Sequence, residues 1–119
     1  MVGLPQGYGL HIFDDLDSTN DEARRQIESG NAERGWILAK TQSTGRGRHG
    51  RVWTSTYGNL FCSLMLPLHV PPKHAAQLSF VTALSVGESL SHYIPDDARL
   101  SLKWPTAVLL NGRKVSGIL

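Results

Sequence analysis

The side-chain pattern changes period sharply at Asp17, and that change constrains what this chain can fold into. Residues 10 to 16, LHIFDDL, alternate apolar and polar side chains as a strand does, with Ile12 and Leu16 sharing a parity. From Asp17 the run DSTNDEARRQIESGN goes over to helical spacing. Ser18 or Thr19 can serve as N-cap, and Thr19 to Glu22 has the spacing of a capping box. Ala23 and Ile27 form a narrow inner face, and Gly30 supplies the left-handed residue that ends the helix. The expected helix covers residues 20 to 29.

Strand-like runs then return. GWILAKTQ at 35 to 42 is rich in large and β-branched residues. NLFCSLMLPL at 59 to 68 is nearly continuous in apolar character, which suits a strand covered on both faces and lying beside the previous one. After the proline-stiffened HVPP, residues 73 to 94 place Leu78, Val81, Leu84 or Ser85, and Leu90 at helical spacing, the longest helix expected, with Pro95 stopping it. RLSLKW reads as a strand that Pro105 breaks, and AVLLNGRKVSGIL as two strands joined by Asn111-Gly112, the strongest short hairpin signal. Strand, helix, strands, helix, strands in that order is an α+β arrangement, and 119 residues allow one domain or part of one. A chain that stops on SGIL reads as cut short.

Twelve basic against ten acidic side chains give a net charge of +2, too weak a field to argue for nucleic acid or an anionic membrane. Position matters more than sum. Asp14, Asp15, Asp17, Asp21 and Glu22 crowd the early chain, whereas Arg46, Arg48 and Arg51 crowd one loop. The single cysteine, Cys62, excludes an intrachain disulfide, fits a reducing compartment and reads as core filler among apolar neighbours. The first residues, MVGLPQGYGLHIF, lack the basic start and long apolar core of a signal peptide, and no window reaches the ~18 apolar residues of a membrane span, so the cytoplasm is expected.

The loop STGRGRHGRVW, residues 43 to 53, carries the chemistry. Its glycines leave the backbone free to wrap a ligand, and its arginines supply planar donors matched to phosphate or carboxylate. A solvated flexible loop and a nucleic-acid contact loop are the other readings of the same residues, and the spacing is not that of a Walker A loop. The five histidines show no pair at i, i+4 and no carboxylate set at ligand spacing, so no metal site is expected. No GxSxG elbow supports a nucleophilic serine. On residues alone, Lys103 and Lys114 read as solvent-facing charges.

Four blocks together resemble the catalytic domain of the biotin protein ligases: DSTNDEA at 17 to 23, KTQSTGRGRHGRVW at 40 to 53, KWP at 103 to 105 and GRKVSGIL at 112 to 119. The resemblance implies a class II synthetase-like α+β domain, a mixed or antiparallel sheet with helices on one face. It also implies that residues 1 to 119 are part of a catalytic domain, without the rest of that domain, the small C-terminal β-domain or an N-terminal DNA-binding domain. The implied reaction joins biotin to the α-phosphate of ATP, with Mg2+ on the phosphates, and then transfers biotin to a lysine of a biotin carboxyl carrier protein. No nucleic-acid or membrane partner is implied, and a homodimer is compatible with the sequence.

Carried over by position, Ser18, Thr19, Asn20, Gln42, Arg46 and Gly117 fall at the biotin site. Gly45, Arg46, Gly47, Arg48, His49, Gly50 and Arg51 form a loop ordered by ligand, with Arg48 and Arg51 toward carboxylate and phosphate. Trp53 falls near adenine. Lys114 matches the lysine that touches the biotin carboxyl and the α-phosphate, and with Arg48 it is the catalytic candidate. The family usually reads KWPND, whereas Thr106 and Ala107 follow Pro105 here. Three other readings stay open: an inactive or binding-only remnant, a lipoate ligase-like enzyme, and a nucleic-acid-binding module.

Overall fold

The computed structural model describes residues 3–31 and 33–119. Strand β1 (Gly9–Leu16) feeds helix α1 (Thr19–Glu28), which returns to strand β2 (Gly35–Gln42); β3 (Phe61–Met65) follows. Farther on come α2 (Pro72–Ala75), α3 (Leu78–Ser91), β4 (Leu100–Lys103), β5 (Ala107–Leu110) and β6 (Arg113–Gly117). The α+β class expected from the order of elements is the one the chain adopts. Among the described residues no helix is long and apolar enough to cross a membrane.

Contacts divide the chain into two compact units, residues 1–68 and 69–119. In the first, β1 pairs with β2 in parallel, from Gly9 opposite Gly35 to Leu16 opposite Gln42. A parallel pair needs a crossover, and α1 provides it. Strand β3 adds to the other side of β2 in antiparallel register, Ala39 opposite Phe61, so β2 is central in a mixed three-stranded sheet and is indeed β3's neighbour. Ile37 of β2, fully buried, joins Ala23 of α1 and Met65 of β3 in the core, with Phe13 and Leu16 of β1 packed against it.

Four expectations need correction in this unit. Strand β3 is five residues long and alternates, with Phe61, Ser63 and Met65 buried under α1 and Cys62 and Leu64 exposed on the opposite face; its apolar run is therefore covered on one side only. Cys62 is accordingly not core filler, although its crowded sulfur has its pKa pushed up by desolvation. Ile12 is 59% exposed, and Phe13 packs against the core with Leu16 instead. Ile27 is likewise exposed; α1 buries Thr19 and Ala23 instead.

In the second unit β4, β5 and β6 form an antiparallel meander, with a register shift between Val108 and Leu109. The turn at Asn111-Gly112 has φ of 50° and 79°, the left-handed pair that this dipeptide favours. Asn111 also ties the turn to β4, its Oδ1 accepting from the Arg99 amide at 2.8 Å and its own amide donating to the Arg99 carbonyl. The expected long helix is two, because near Ala76 and Gln77 the backbone tightens to i→i−3 bonds, Gln77 to His74 and Phe80 to Gln77. The inner face of α3 is also not the large-residue stripe: Val81 and Leu84 are exposed, and Ala83 and Gly87 are buried. A Cβ on Gly87 would come within 3.2 Å of Leu102 Cδ2, so the small residues allow α3 to lie close on the β4–β5 sheet around the fully buried Val108.

Ile37→Ala removes the side chain at the centre of the first unit and leaves a cavity walled by a sheet and a helix. Urea denaturation should show a loss of about 2–5 kcal/mol relative to wild type.

Candidate functional site

Because β1 and β2 run in parallel, their C-terminal ends lie side by side, and three pieces of chain start there: α1 after β1, and the arginine loop after β2 and its return. Backbone bonds knit the exits together, the amides of Ser43 and Thr44 donating to the carbonyls of Leu16 and Asp17, both at 2.9 Å. Helix α1 begins with its N–H groups unpaired by its own turns, and side chains must satisfy them. Ser18 is the N-cap, its Oγ accepting from the Asp21 amide at 3.3 Å. The alternative box from Thr19 to Glu22 does not form, because Thr19 is buried and bonded elsewhere.

The Thr19 amide donates to Gln42 Oε1 at 2.8 Å, which joins the helix start to the end of β2. Gln42 Nε2 donates to Ser55 Oγ at 3.0 Å, and that hydroxyl donates to the Trp53 carbonyl at 3.1 Å. The carboxamide is therefore held in one orientation. On the other side Ser63 Oγ donates to Asn20 Oδ1, and Thr19 Oγ1 lies 2.8 Å from Ser63 Oγ. Ser63 has one proton and gives it to Asn20, so Thr19 donates to Ser63 and keeps its own lone pairs as acceptors. Ser18, Thr19, Ser55 and Ser63 are all buried, and among the described residues no buried side-chain polar atom lacks a partner. The result is a row of oriented hydroxyl and amide groups able to read a polar head that both donates and accepts.

The arginine loop forms a hairpin. Gln42 bridges Ser55, Arg46 bridges Val52, and the amides of Gly47 and Trp53 donate to the carbonyls of Arg51 (2.6 Å) and Gly45 (2.9 Å). At the tip, Arg48–Gly50 make a 3-10 turn in which His49 and Gly50 take φ of 59° and 71°. Gly45 is required for a different reason, since a Cβ there would stand 2.4 Å from Ser55 Oγ and 2.9 Å from the Trp53 carbonyl oxygen. The side chain of Trp53 lies alongside Gly47, 4.0 Å from where a Cβ would be.

The arginines divide in two. Arg46 makes a two-pronged bond to Asp21, Nη1 to Oδ2 at 2.7 Å and Nη2 to Oδ1 at 2.6 Å. Arg48 and Arg51 are exposed at the tip, and neither forms an ion pair within the described residues. Below the loop, Arg25 pairs with Asp17 through both Nη atoms at 2.8 Å and with Glu22, while Asp17 also accepts from the Ser18 amide. Arg25 holds the Asp17 carboxyl far below the usual range, Arg46 lowers Asp21, and Lys40 lowers Asp14.

Ser18, Thr19, Asn20, Gln42, Gly45 and Arg46, singled out in the sequence, are thus gathered at one end of the first unit. Ser55 and Ser63 were missed; the alternation that put Ser63 on the buried face of β3 was the available signal. Lys114 and Gly117 lie in the second unit on β6, where Lys114 pairs with Leu109 and Gly117 with Ala107, both exposed. Trp104, after Lys103, stacks on Phe80 of α3 with ring centroids 4.7 Å apart. Among the described residues no group of three or more His, Cys, Asp or Glu side chains is arranged to hold a metal.

A family model described as the Biotin/lipoate A/B protein ligase family matches residues 12–119. The chain is 47% identical over 103 residues to a biotin--[acetyl-CoA-carboxylase] ligase of Paracoccus denitrificans, a match covering 87% of this chain and 42% of that protein. Among solved structures, the biotin protein ligase of Leishmania major in complex with biotinyl-5-AMP superposes with a TM-score of 0.80 at 25% identity, over 98% of this chain and 52% of that one. The Aquifex aeolicus biotin protein ligase in complex with biotin and ATP gives 0.73 at 36%, over 93% and 45%. The chain spans about half the length of these relatives, or less.

Two outcomes follow from this geometry. Gly45→Ala forces a methyl group into the Ser55 hydroxyl and the Trp53 carbonyl, and should cost about 1–3 kcal/mol in urea denaturation while making the loop more sensitive to trypsin. The carboxyls of Asp14, Asp17 and Asp21 are all held below their ordinary value of 3.8 by cations in the folded chain. Their contribution to stability is complete above that value and is lost as pH falls through the lower folded values. The urea midpoint should therefore hold from neutral pH to about pH 4 and decline below it.

Proposed function

This chain belongs to the biotin/lipoate A/B protein ligase family, and we propose that it activates biotin as biotinyl-5'-AMP and passes it to a lysine of a biotin carboxyl carrier protein. One observation carries the reading: a row of oriented amide and hydroxyl groups lies at the root of a hairpin whose tip holds two exposed arginines. Biotin has the matching halves, a cyclic urea that both donates and accepts and a carboxylate. Thr19, with its acceptor lone pairs, and Asn20 and Gln42 take the urea; Ser18 caps the helix that presents them. Arg48 and Arg51 take charge on the carboxylate and phosphates.

In the first step a biotin carboxylate oxygen attacks the α-phosphorus of ATP, the bond to the β-phosphate oxygen breaks, and pyrophosphate leaves. Two anions must approach, and fixed cations that mask their repulsion lower the barrier. Lys114, by its match to the family lysine, supports the carboxylate and α-phosphate; Gly117 lines biotin; Gly45, Gly47, His49, Gly50 and Trp53 serve the loop that covers the adenylate. In the second step the acceptor amine attacks the acyl carbon and AMP departs with the bonding electron pair. Mg2+ would enter on the nucleotide, where it would offset the charge of the phosphates; the family usually reads KWPND, and Thr106 and Ala107 stand here in place of that amide and carboxylate. The cytoplasm is the proposed setting, since Cys62 is a free thiol.

Thr106 and Ala107 favour a second reading, in which the chain binds biotin without turning it over. The two part on one assay: with ATP, Mg2+ and biotin, a ligase releases pyrophosphate in a biotin-dependent manner and a binding-only chain does not. For the ligase, Arg48→Ala or Lys114→Ala should slow adenylate formation roughly 10²-fold, the loss expected for one charge-stabilising donor. Absence of both biotin binding and pyrophosphate release from the wild-type chain would overturn both.

A further inference from the structure

Arg46 differs from its neighbours in the loop in that its fork is already filled. Both of its terminal nitrogens donate to the two carboxylate oxygens of Asp21, at 2.7 and 2.6 Å, and the two side chains are only 33% and 26% exposed. Asp21 sits in the first turn of α1, one residue after Asn20, and its amide is bonded to the Ser18 cap. Arg46 sits on the stem of the hairpin, paired with Val52 and flanked by the two bonds that close it, Trp53 to Gly45 and Gly47 to Arg51. A parallel two-pronged pair fixes angle as well as distance, which a single-point contact does not.

From this we infer that Asp21 is a positioning residue: its carboxylate clamps the Arg46 guanidinium, locks the hairpin stem against the start of α1, and so makes Arg46 a strut while Arg48 and Arg51 receive the anion. The inference rests on the biotin-ligating reading and deepens it. It reassigns the Arg46 side chain from ligand contact to support, and it adds Asp21 to the residues on which the site depends. A guanidinium neutralised by a protein carboxylate offers a ligand carboxylate little attraction, whereas the exposed tip arginines form no ion pair within the described residues. The clamp also places the helix that carries Thr19 and Asn20 and the loop that carries Arg48 in a fixed relation before any ligand arrives, which reduces the ordering cost of binding.

The sign of one effect separates a strut from a receptor. If Arg46 is a strut, Asp21→Asn, which keeps size and removes charge, loosens the stem and weakens biotin binding in titration calorimetry by about tenfold. If Arg46 is the receptor, the same change frees its charge and tightens binding, and the inference is overturned. Amide hydrogen exchange without ligand gives a second readout that does not depend on biotin at all. Asp21→Asn and Arg46→Ala should each speed exchange at Gly47 and Trp53, the pair together should do no more than either alone, and the swapped Asp21→Arg/Arg46→Asp chain should recover protection. Unchanged exchange in both single variants sinks the clamp. A wild-type chain that binds no biotin, yet shows the exchange pattern, keeps the clamp and removes the functional reading instead. Exchange at Ile37 in the core serves as the folding control, and a variant that loses protection there is replaced by Asp21→Glu, which keeps the charge and moves it by one methylene: slower exchange than in Arg46→Ala is the expected result, and equal exchange counts against the clamp.

Discussion

The bond from the Thr19 amide to the Gln42 side-chain oxygen is the constraint on which the first unit turns. A helix that starts directly after a strand presents unpaired N–H groups at the strand's end, and these must find acceptors. Here one acceptor comes from the last residue of the neighbouring parallel strand. The same carboxamide, through its nitrogen, holds Ser55 on the returning arm of the arginine loop. One residue thus sets the helix start, the strand end and the loop root in a common frame. Parallel pairing makes this possible, since an antiparallel neighbour of β1 would have put its start, not its end, beside α1.

The loop's composition suggests mobility, and its structure explains why the glycines are there without it. Gly45 is required by three close neighbours, and Gly50 by a left-handed tip; neither needs the backbone to be free. The positive charge is not a single patch either. The acidic cluster of the early chain is divided among cations of different elements, Asp21 pairing with Arg46 of the loop and Asp17 with Arg25 of α1. A net charge of +2 conceals this partition, which leaves the positive field at the tip, where it would meet an anion.

Much of the local structure could be read from residue pattern because local physics decides it. Ser18, Gly30 and Asn111-Gly112 act within a turn or two of themselves, and the observed cap, left-handed residues and hairpin follow. The arginine–glycine loop stood out by composition, whereas Ser18, Thr19, Asn20, Gln42 and Lys114 entered as site residues only through the family resemblance. What was not visible depends on partners far along the chain. That β1 and β2 pair in parallel, that Ser63 joins Thr19 and Asn20 across more than forty positions, and that Asp21 faces Arg46 are matters of tertiary register. Cys62 and Leu64 show the same limit, as a run of apolar residues does not say which of its two faces will be covered.

Helix α3 carries that point further. Hydrophobic spacing nominated Leu78, Val81, Leu84 and Leu90 for its inner face, yet the chain turns Ala83 and Gly87 inward, leaves Leu78, Val81 and Leu84 exposed and only half-buries Leu90. The sheet explains the choice. Strands β4 and β5 already fill the interface from their side with Leu100, Leu102 and the fully buried Val108, and Leu102 reaches to within 3.2 Å of where a Cβ on Gly87 would lie. Two layers of large side chains would hold helix and sheet apart and leave voids between them; small residues against large ones bring the backbones together at the density an interior requires. Complementarity of size across the interface, and not hydrophobicity along one element, decided which side of the helix is buried.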